Sequence, residues 1–398
     1  MPDTLPNATP MPHTTPSIHS LLPYKEGFTT SDAGAVALVV SDGFMGSAYA
    51  KTAIVFGRRQ KSDSPAISTI PYHALKPKMP LFGGPYIGLP RSYLHHINQE
   101  THPPDLLEVH GRSYVASYLA KKQPKHFPMV LYLHNDPRQM KGSESTRQRR
   151  WLLQNLAGIF CVSDYVRRCF LDGLGHVPSA LLDKLVVIPN AAHRIWDTLP
   201  VKENLITVIG RMVKEKGMHE AAQALAEVLP EFPDWRVAFI GSSWFGVRQP
   251  TDYEKQIAHI LSPLTHAGQA DITGYLPHSQ VCDWQARSAI VLAPSKWHEP
   301  APKTVIEALA AGAAVITSRR GGIPEYAKGR AFLLNRPQVK DIVYALRRLI
   351  SNADTRKHLQ QKAWHDYPFT ITNMVKKLDA ARKNVLQKTL PPKKLNQP

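Results

Sequence analysis

The sequence predicts an α/β protein of two domains, each built on a parallel sheet with crossover helices. Three observations predict it. At 398 residues the chain exceeds the roughly 250 to 300 residues at which a single hydrophobic core stops growing. From Asn204 onward, short apolar runs of strand length alternate with longer stretches of helical spacing, as expected of parallel strands joined by helices. Similar but less regular runs recur between Thr52 and Ile188.

The elements follow in chain order. Residues 1–16 carry Pro2, Pro6, Pro10, Pro12 and Pro16 among Thr, Asn and His without apolar periodicity, and read as a disordered tail. Segment 35–40 supports two readings: its β-branched residues favour a strand, its place after a glycine turn a helix. Strand-length runs follow at 52–56, 105–109, 129–133, 158–162 and 184–188. An irregular stretch at 195–201 containing Pro200 marks the linker, giving a first domain at 17–196 and a second at 197–364. In the second, strands are expected at 205–209, 236–240, 289–293, 314–317 and 331–334, and helices at 218–229, 253–264, 279–287 and 304–311. Several strands end in turn residues (Gly210, Gly241, Pro294), and open α/β sheets bind ligands at those carboxyl ends.

Hydrophobic residues at 43% and charged residues at 20% exclude a wholly disordered or fibrous chain. The N-terminus lacks a basic start followed by an apolar stretch, so a cytoplasmic protein is expected. The longest apolar run, 308–316, is interrupted by Gly312 and falls short of the roughly 20 residues that span a bilayer. Cys161, Cys169 and Cys282 have neither even count nor C-x-x-C spacing and read as buried thiols. The net charge of +18 implies an anionic partner: nucleic acid, a membrane surface or a phosphorylated ligand. Basic residues concentrate at Lys121, Lys122 and Lys125, at Arg147, Arg149 and Arg150 before Trp151, and over 382–394.

Two segments carry candidate chemistry. Segment 208–217 sets a strand, a glycine turn at Gly210, the cations Arg211 and Lys216, and Gly217 ahead of a helix, so both cations can reach one anion. Segment 295–312 follows a strand and opens a helix, with Glu299 before the helix start and Glu307 inside it. Free backbone N–H groups near Lys303 and Thr304 then point into the space the carboxylates face, an anion site beside acceptors for hydroxyl groups. Phosphate joined to sugar uses both. His298-Glu299 is not followed by a second histidine at zinc-site spacing, and no metal is expected.

Gly210-Arg211 with Glu215-Lys216-Gly217, then Gly274-Tyr-Leu276, Pro294-Ser295, Glu299 and Glu307 separated by seven residues, Gly312, and Gly321-Gly-Ile-Pro-Glu325 resemble glycosyltransferase family 4 in order and spacing. The resemblance is close in the C-terminal half. It is looser in the first half, through 105–110, Leu133-His-Asn-Asp-Pro137, Val162-Ser163 and Ile188-Pro-Asn190. It implies the GT-B fold, two Rossmann-like domains facing across a cleft, and residues 365–398 forming a helix that returns to the first domain plus a basic tail. It implies retaining transfer of a sugar, expected to be UDP-linked, onto a glycan or lipid-linked acceptor such as a lipopolysaccharide or exopolysaccharide precursor. Arg211 and Lys216 would bind the diphosphate, Glu299 the sugar hydroxyls and Glu307 the ribose. Gly34, Gly210, Leu276, Lys303 and Thr304 would complete the donor site, and His134 would face sugar and acceptor. The chain also lacks an aspartate recurring two positions after another, the pair by which metal-dependent glycosyltransferases of the other common architecture hold their ion.

Two departures stand out. Pro302-Lys303 replaces the family's usual Gly-Leu, and Asp32-Ala-Gly34-Ala replaces its Gly-Gly phosphate loop, leaving only Gly34 for close approach. They leave room for an inactive scaffold. A nucleic-acid-binding protein would explain the charge but not the motifs, since no helix-turn-helix, zinc-finger or aromatic RNA-binding signature is evident. Lys121, Lys122, Lys125, Arg147, Arg149 and Arg150, with Trp151-Leu-Leu153 beside them, are expected to hold the enzyme against anionic lipid.

Overall fold

A computed structural model describes residues 15–60, 64–76, 84–100, 102–123, 127–243 and 249–389. Among these residues the strands form two sheets, and every strand pair is parallel. The first contains β1 (Ile18–Leu21), β2 (Ala53–Arg58), β3 (Tyr72–Leu75), β4 (Leu106–His110), β5 (Met129–Leu133), β6 (Gly158–Cys161) and β7 (Leu185–Val187), in the order β3-β2-β1-β4-β5-β6-β7. The second contains β8 (Glu203–Ile209), β9 (Arg236–Ile240), β10 (Ala270–Gly274), β11 (Ser288–Ala293), β12 (Ala314–Ser318) and β13 (Ala331–Leu334), in the order β10-β9-β8-β11-β12-β13. Central strands such as β5 and β12 are buried along their whole length, which is why they read as unbroken apolar runs: helices cover both faces. Each order reverses once, between β1 and β4 and between β8 and β11, and these switch points open the crevices where such sheets bind ligands.

Three strands escape the sequence pattern. β1 is fully buried although half of its residues are polar: His19 Nδ1 lies 3.0 Å from Tyr93 Oη, and Ser20 donates to Glu108 at 3.1 Å. β3 and β10 are half-exposed sheet edges, four and five residues long. The ambiguous segment near Ala35 is a helix, Ala35–Asp42.

The helix Ile371–Thr389 lays Met374, Val375, Leu378, Val385 and Leu386 into the core of the first sheet. Arg382, expected in a solvated basic tail, is instead 1% exposed inside this helix, where its guanidinium grips both carboxylate oxygens of Glu108 at 2.8 and 2.9 Å. An apolar face carrying one cation at helical spacing is indistinguishable in sequence from a helix end with loose charge. The proline-rich segment 1–14, Lys125 and residues 390–398 lie outside the described residues. Cys161 and Cys169 are buried, Cys282 partly so, and burial pushes the Cys161 thiol up. No described helix is long and apolar enough to cross a membrane.

Candidate functional site

The site is built at the carboxyl ends of β8 and β11. After β8 the chain makes a tight turn, Lys214–Lys216, and enters the helix Met218–Val228 through Gly217 at φ 73°. A Cβ at Gly217 would lie 2.3 Å from the carbonyl oxygen of Pro294, so only glycine lets the two strand ends approach this closely. That approach carries Lys216 to Glu299. The Lys216 ammonium pairs with the Glu299 carboxylate, which also accepts from Ser295 Oγ at 2.9 Å and is 6% exposed. Backbone bonds from Lys296 and Trp297 to the Glu215 carbonyl, at 2.8 and 3.1 Å, and from Gly322 to the Glu299 carbonyl, at 2.7 Å, fix the loop.

The helix Lys303–Ala310 begins without a side-chain cap. Its first-turn amides therefore have no intrahelical acceptor, and Lys303, Thr304 and Val305 line the same cleft as Lys216 and Glu299. Pro302 falls at the N-cap, so its missing N–H removes no first-turn donor, and its carbonyl accepts from Ile306 at 3.0 Å.

The opposite wall belongs to the first domain: Val36 and Val39 of the helix Ala35–Asp42, with His134, Asn135 and Asn190. Together the walls enclose a cavity of about 280 Å³. A second cavity of about 160 Å³, lined by Gly210, Arg211, Gly241, Ser242, Tyr275 and Leu276, adjoins it through Ile209, which lines both. His134 stacks on Tyr132 with ring centroids 4.8 Å apart, and its Nε2 lies 3.1 Å from His110 Nδ1. Burial, reinforced by the neighbouring His110, holds its pKa well below the usual imidazole range, so the ring is neutral at pH 7.

The structure thus brings Lys216, Glu299, His134, Lys303 and Thr304 to one cleft and sets Gly210, Arg211 and Leu276 around the adjoining cavity. Other candidates have partners that the sequence does not show. The Lys303 ammonium does not add a free cation: it bonds Asp42 Oδ2 at 3.1 Å and the Ala191 carbonyl at 3.3 Å across the domain boundary. Glu307 lines neither cavity; its carboxylate accepts from His278 Nε2 at 2.9 Å, and contacts with Cys282 and Glu307 push the His278 pKa up to about 10. Gly34 does not hold space for a ligand. The Glu26 carboxylate fills it, 2.5 and 2.6 Å from where a Gly34 Cβ would be, and accepts from the Ala37 amide at 3.3 Å. Burial raises the pKa of Glu26. One member of the expected lipid patch is buried: Arg149 is 3% exposed with four backbone carbonyl acceptors (Phe170, Ser143, Glu144 and Asp172), while Arg150 stays exposed and bonds the Leu174 carbonyl.

Sequence reasoning missed Asn190 as a site residue. It is 7% exposed, lines the cleft, and its Oδ1 has no hydrogen-bond partner. Its place in Ile188-Pro-Asn190 was the only signal. Its backbone N–H donates to Tyr326 Oη at 3.0 Å, and Tyr326 donates to the Val162 carbonyl at 2.6 Å, so the second domain positions it.

Comparison with known proteins agrees with this fold. Residues 193–366 match the glycosyl transferases group 1 family and residues 52–193 match Glycosyltransferase Family 4. The spore coat protein SA of Bacillus subtilis is 33% identical over 123 residues, 31% of this chain, and the match spans only about a third (32%) of that relative. Among solved structures, Anabaena Alr3699/HepE in complex with UDP and glucose superposes with a TM-score of 0.70 at 16% identity, covering 93% of this chain and 100% of that one. The lipopolysaccharide outer core galactosyltransferase WaaB, in its apo form, gives 0.66 at 19% identity, covering 92% and 99%. With each half matched and the two sheets meeting in the GT-B arrangement, the chain belongs to glycosyltransferase group 1/family 4, retaining enzymes that take a nucleotide sugar as donor.

Proposed function

We propose that this enzyme transfers a sugar from a UDP-sugar to a cell-surface glycan acceptor, such as a lipopolysaccharide or exopolysaccharide precursor, with front-face retention and without a metal ion. The carrying observation is the Lys216–Glu299 pair, set beside uncapped first-turn amides and facing His134 across the cleft. Charge accumulates on the departing diphosphate as the glycosidic bond breaks. Lys216, Arg211 and the amides of Lys303 to Val305 are placed to stabilise it, and a single donor of this kind is worth roughly 10²- to 10³-fold in rate. Glu299 then has its free carboxylate oxygen to accept from sugar hydroxyls, and the stranded Asn190 Oδ1 supplies a second acceptor from the other wall. Neutral His134 can take part in a hydrogen bond without repelling the cationic side of the site.

The UDP preference is supported by the UDP bound in the Anabaena structure of the same fold, and the acceptor class by WaaB. Glu307 serves as the ribose acceptor in this reading only if the nucleoside displaces His278 from it. The test is thermal stabilisation of the purified chain by a panel of nucleotide sugars, since a ligand stabilises by RT ln(1 + [L]/Kd), followed by sugar-transfer assays with and without EDTA. Stabilisation by UDP-sugars and undiminished activity in EDTA are expected. A chain that no nucleotide sugar stabilises overturns the donor reading, and activity lost to EDTA and restored by magnesium overturns its metal independence.

A further inference from the structure

The first domain carries a groove that neither the donor cleft nor its machinery uses. It has a volume of about 1280 Å³ and opens at the β1/β4 switch point, where Lys25 follows the end of β1 and Arg112 the end of β4. Lys121, Lys141 and Arg147 also line it, and among the described residues no carboxylate does. Among the described residues none of these five cations forms an ion pair. Glu26, the acidic group that feels Arg112, turns its carboxylate to the helix amide of Ala37 instead.

The walls are aromatic. Tyr86, Tyr114, Tyr118 and Trp151 face the space, Tyr86 with 38% of its surface exposed. Lys121 Nζ sits 4.7 Å over the Trp151 ring and Lys141 Nζ 6.0 Å over Tyr114, so two of the cations are held at the aromatic faces. One rim is fixed by Gly142 at φ 90°, where a Cβ would fall 2.5 Å from the backbone nitrogen of Tyr114. The groove lies near the first-domain wall of the donor cleft: a Cβ at Gly111, next to the groove-lining Arg112, would lie 3.7 Å from His134 Cδ2.

We propose that this groove binds the acceptor, and that the acceptor is an acidic oligosaccharide whose carboxylate or phosphate groups meet the unpaired cations while its rings lie on the aromatic walls. The inference rests on the glycosyltransferase reading above and deepens it by naming the acceptor's charge. The volume exceeds the roughly 300 to 1,000 Å³ of ordinary small-ligand pockets, which suits several sugar units rather than one. Flat aromatic faces stack on the apolar faces of sugar rings. A concave surface cannot lie flush on a bilayer, and the burial of Arg149 has already removed a member of the convex patch that a membrane would need.

The probe is a short oligogalacturonate, compared with its fully methyl-esterified, uncharged form, in binding measurements on the full chain at low salt. The acidic oligomer is expected to bind at least tenfold more tightly than the ester, and to weaken as salt shortens the screening length. The triple variant Lys121→Gln, Lys141→Gln, Arg147→Gln, all exposed side chains, is expected to lose at least tenfold in affinity for it while keeping the thermal shift with UDP. Equal binding of acidic and esterified oligomers, or unchanged binding by the variant, overturns the proposal. So does tighter binding to phosphatidylglycerol vesicles or duplex DNA than to the oligosaccharide, lost in the same variant. Absence of any UDP shift in the wild-type protein would instead strike the donor reading and leave the groove's own comparison intact.

Discussion

At the scale of single residues, the site depends on a few polar atoms whose partners are now defined. Lys216→Ala is expected to lower kcat by about 10²-fold or more with the fold retained, because the ammonium serves Glu299 and the leaving diphosphate rather than a core; steady-state kinetics with circular dichroism checks this, and near-normal turnover would contradict it. Asn190→Leu is expected to reduce kcat/KM by about 10- to 100-fold, the consequence of losing one buried hydrogen bond to substrate of ~1 to 3 kcal/mol. His278 provides a pH test. Its pKa, raised from 6.5 to about 10, means the folded state holds the proton more tightly than the unfolded one. Its contribution to stability is therefore full below pH 6.5 and lost as pH rises towards 10. Thermal unfolding of wild type and His278→Gln across pH 6 to 10 should converge with rising pH; parallel curves would show that the His278–Glu307 contact contributes nothing.

At the scale of elements, the helix Ile371–Thr389 is bound to the first sheet by an apolar stripe and by one buried ion pair. Arg382 touches Glu108, the Gly43 carbonyl at 3.0 Å and Asp379 at 3.1 Å, and Glu108 in turn lies beside His110, the ring that contacts His134. The C-terminal helix thereby backs the wall of the cleft that carries His134. Arg382→Ala should destabilise the protein by about 3 to 5 kcal/mol, since it leaves Glu108 buried without its counter-charge. Adding Glu108→Gln should recover part of that loss, measured as the guanidinium unfolding midpoint. A single variant as stable as wild type would show the pair to be dispensable.

At the scale of the whole molecule, the two domains are fastened by charges placed at helix ends. The Glu325 carboxylate accepts from the Asp164 and Tyr165 amides at 2.7 and 2.6 Å, so an acid of the second domain caps a helix of the first. Asp42 meets Lys303 at 3.1 Å and His193 at 3.3 Å. Burial opposes ionisation of Asp42, but the contacts with His193 and Lys303 outweigh it and hold its pKa below the usual carboxylate range. That contribution is present above the unfolded pKa near 3.9 and is lost as pH falls through the lower folded value. Asp42→Asn is accordingly expected to loosen the domains at neutral pH, seen as a larger radius of gyration by small-angle scattering, and to reduce the extra loosening of wild type below pH 4. Identical scattering of both proteins at both pH values would show that the Asp42 contacts do not set domain closure.

The sequence by itself determined the two parallel sheets, since strands covered on both faces are mostly apolar, as β5 is throughout and β12 is over Ala314 to Ile316. It also marked Lys216, Glu299 and the start of the helix Lys303–Ala310 as candidates, because each stands in a short local pattern, while their meeting rests on contacts across 83 residues. It missed β1, whose polar residues are buried by partners 74 and 88 positions away, and β3 and β10, short half-exposed edges without a long apolar run. Only the tertiary structure decided where the charges went. Lys303 and Arg382 read as free cations until Asp42 and Glu108 arrive from 261 and 274 residues away, and Gly34 reads as open space until Glu26 fills it. A buried charge is stable only with a partner, and the chain pattern around the charge does not say which distant segment will bring one.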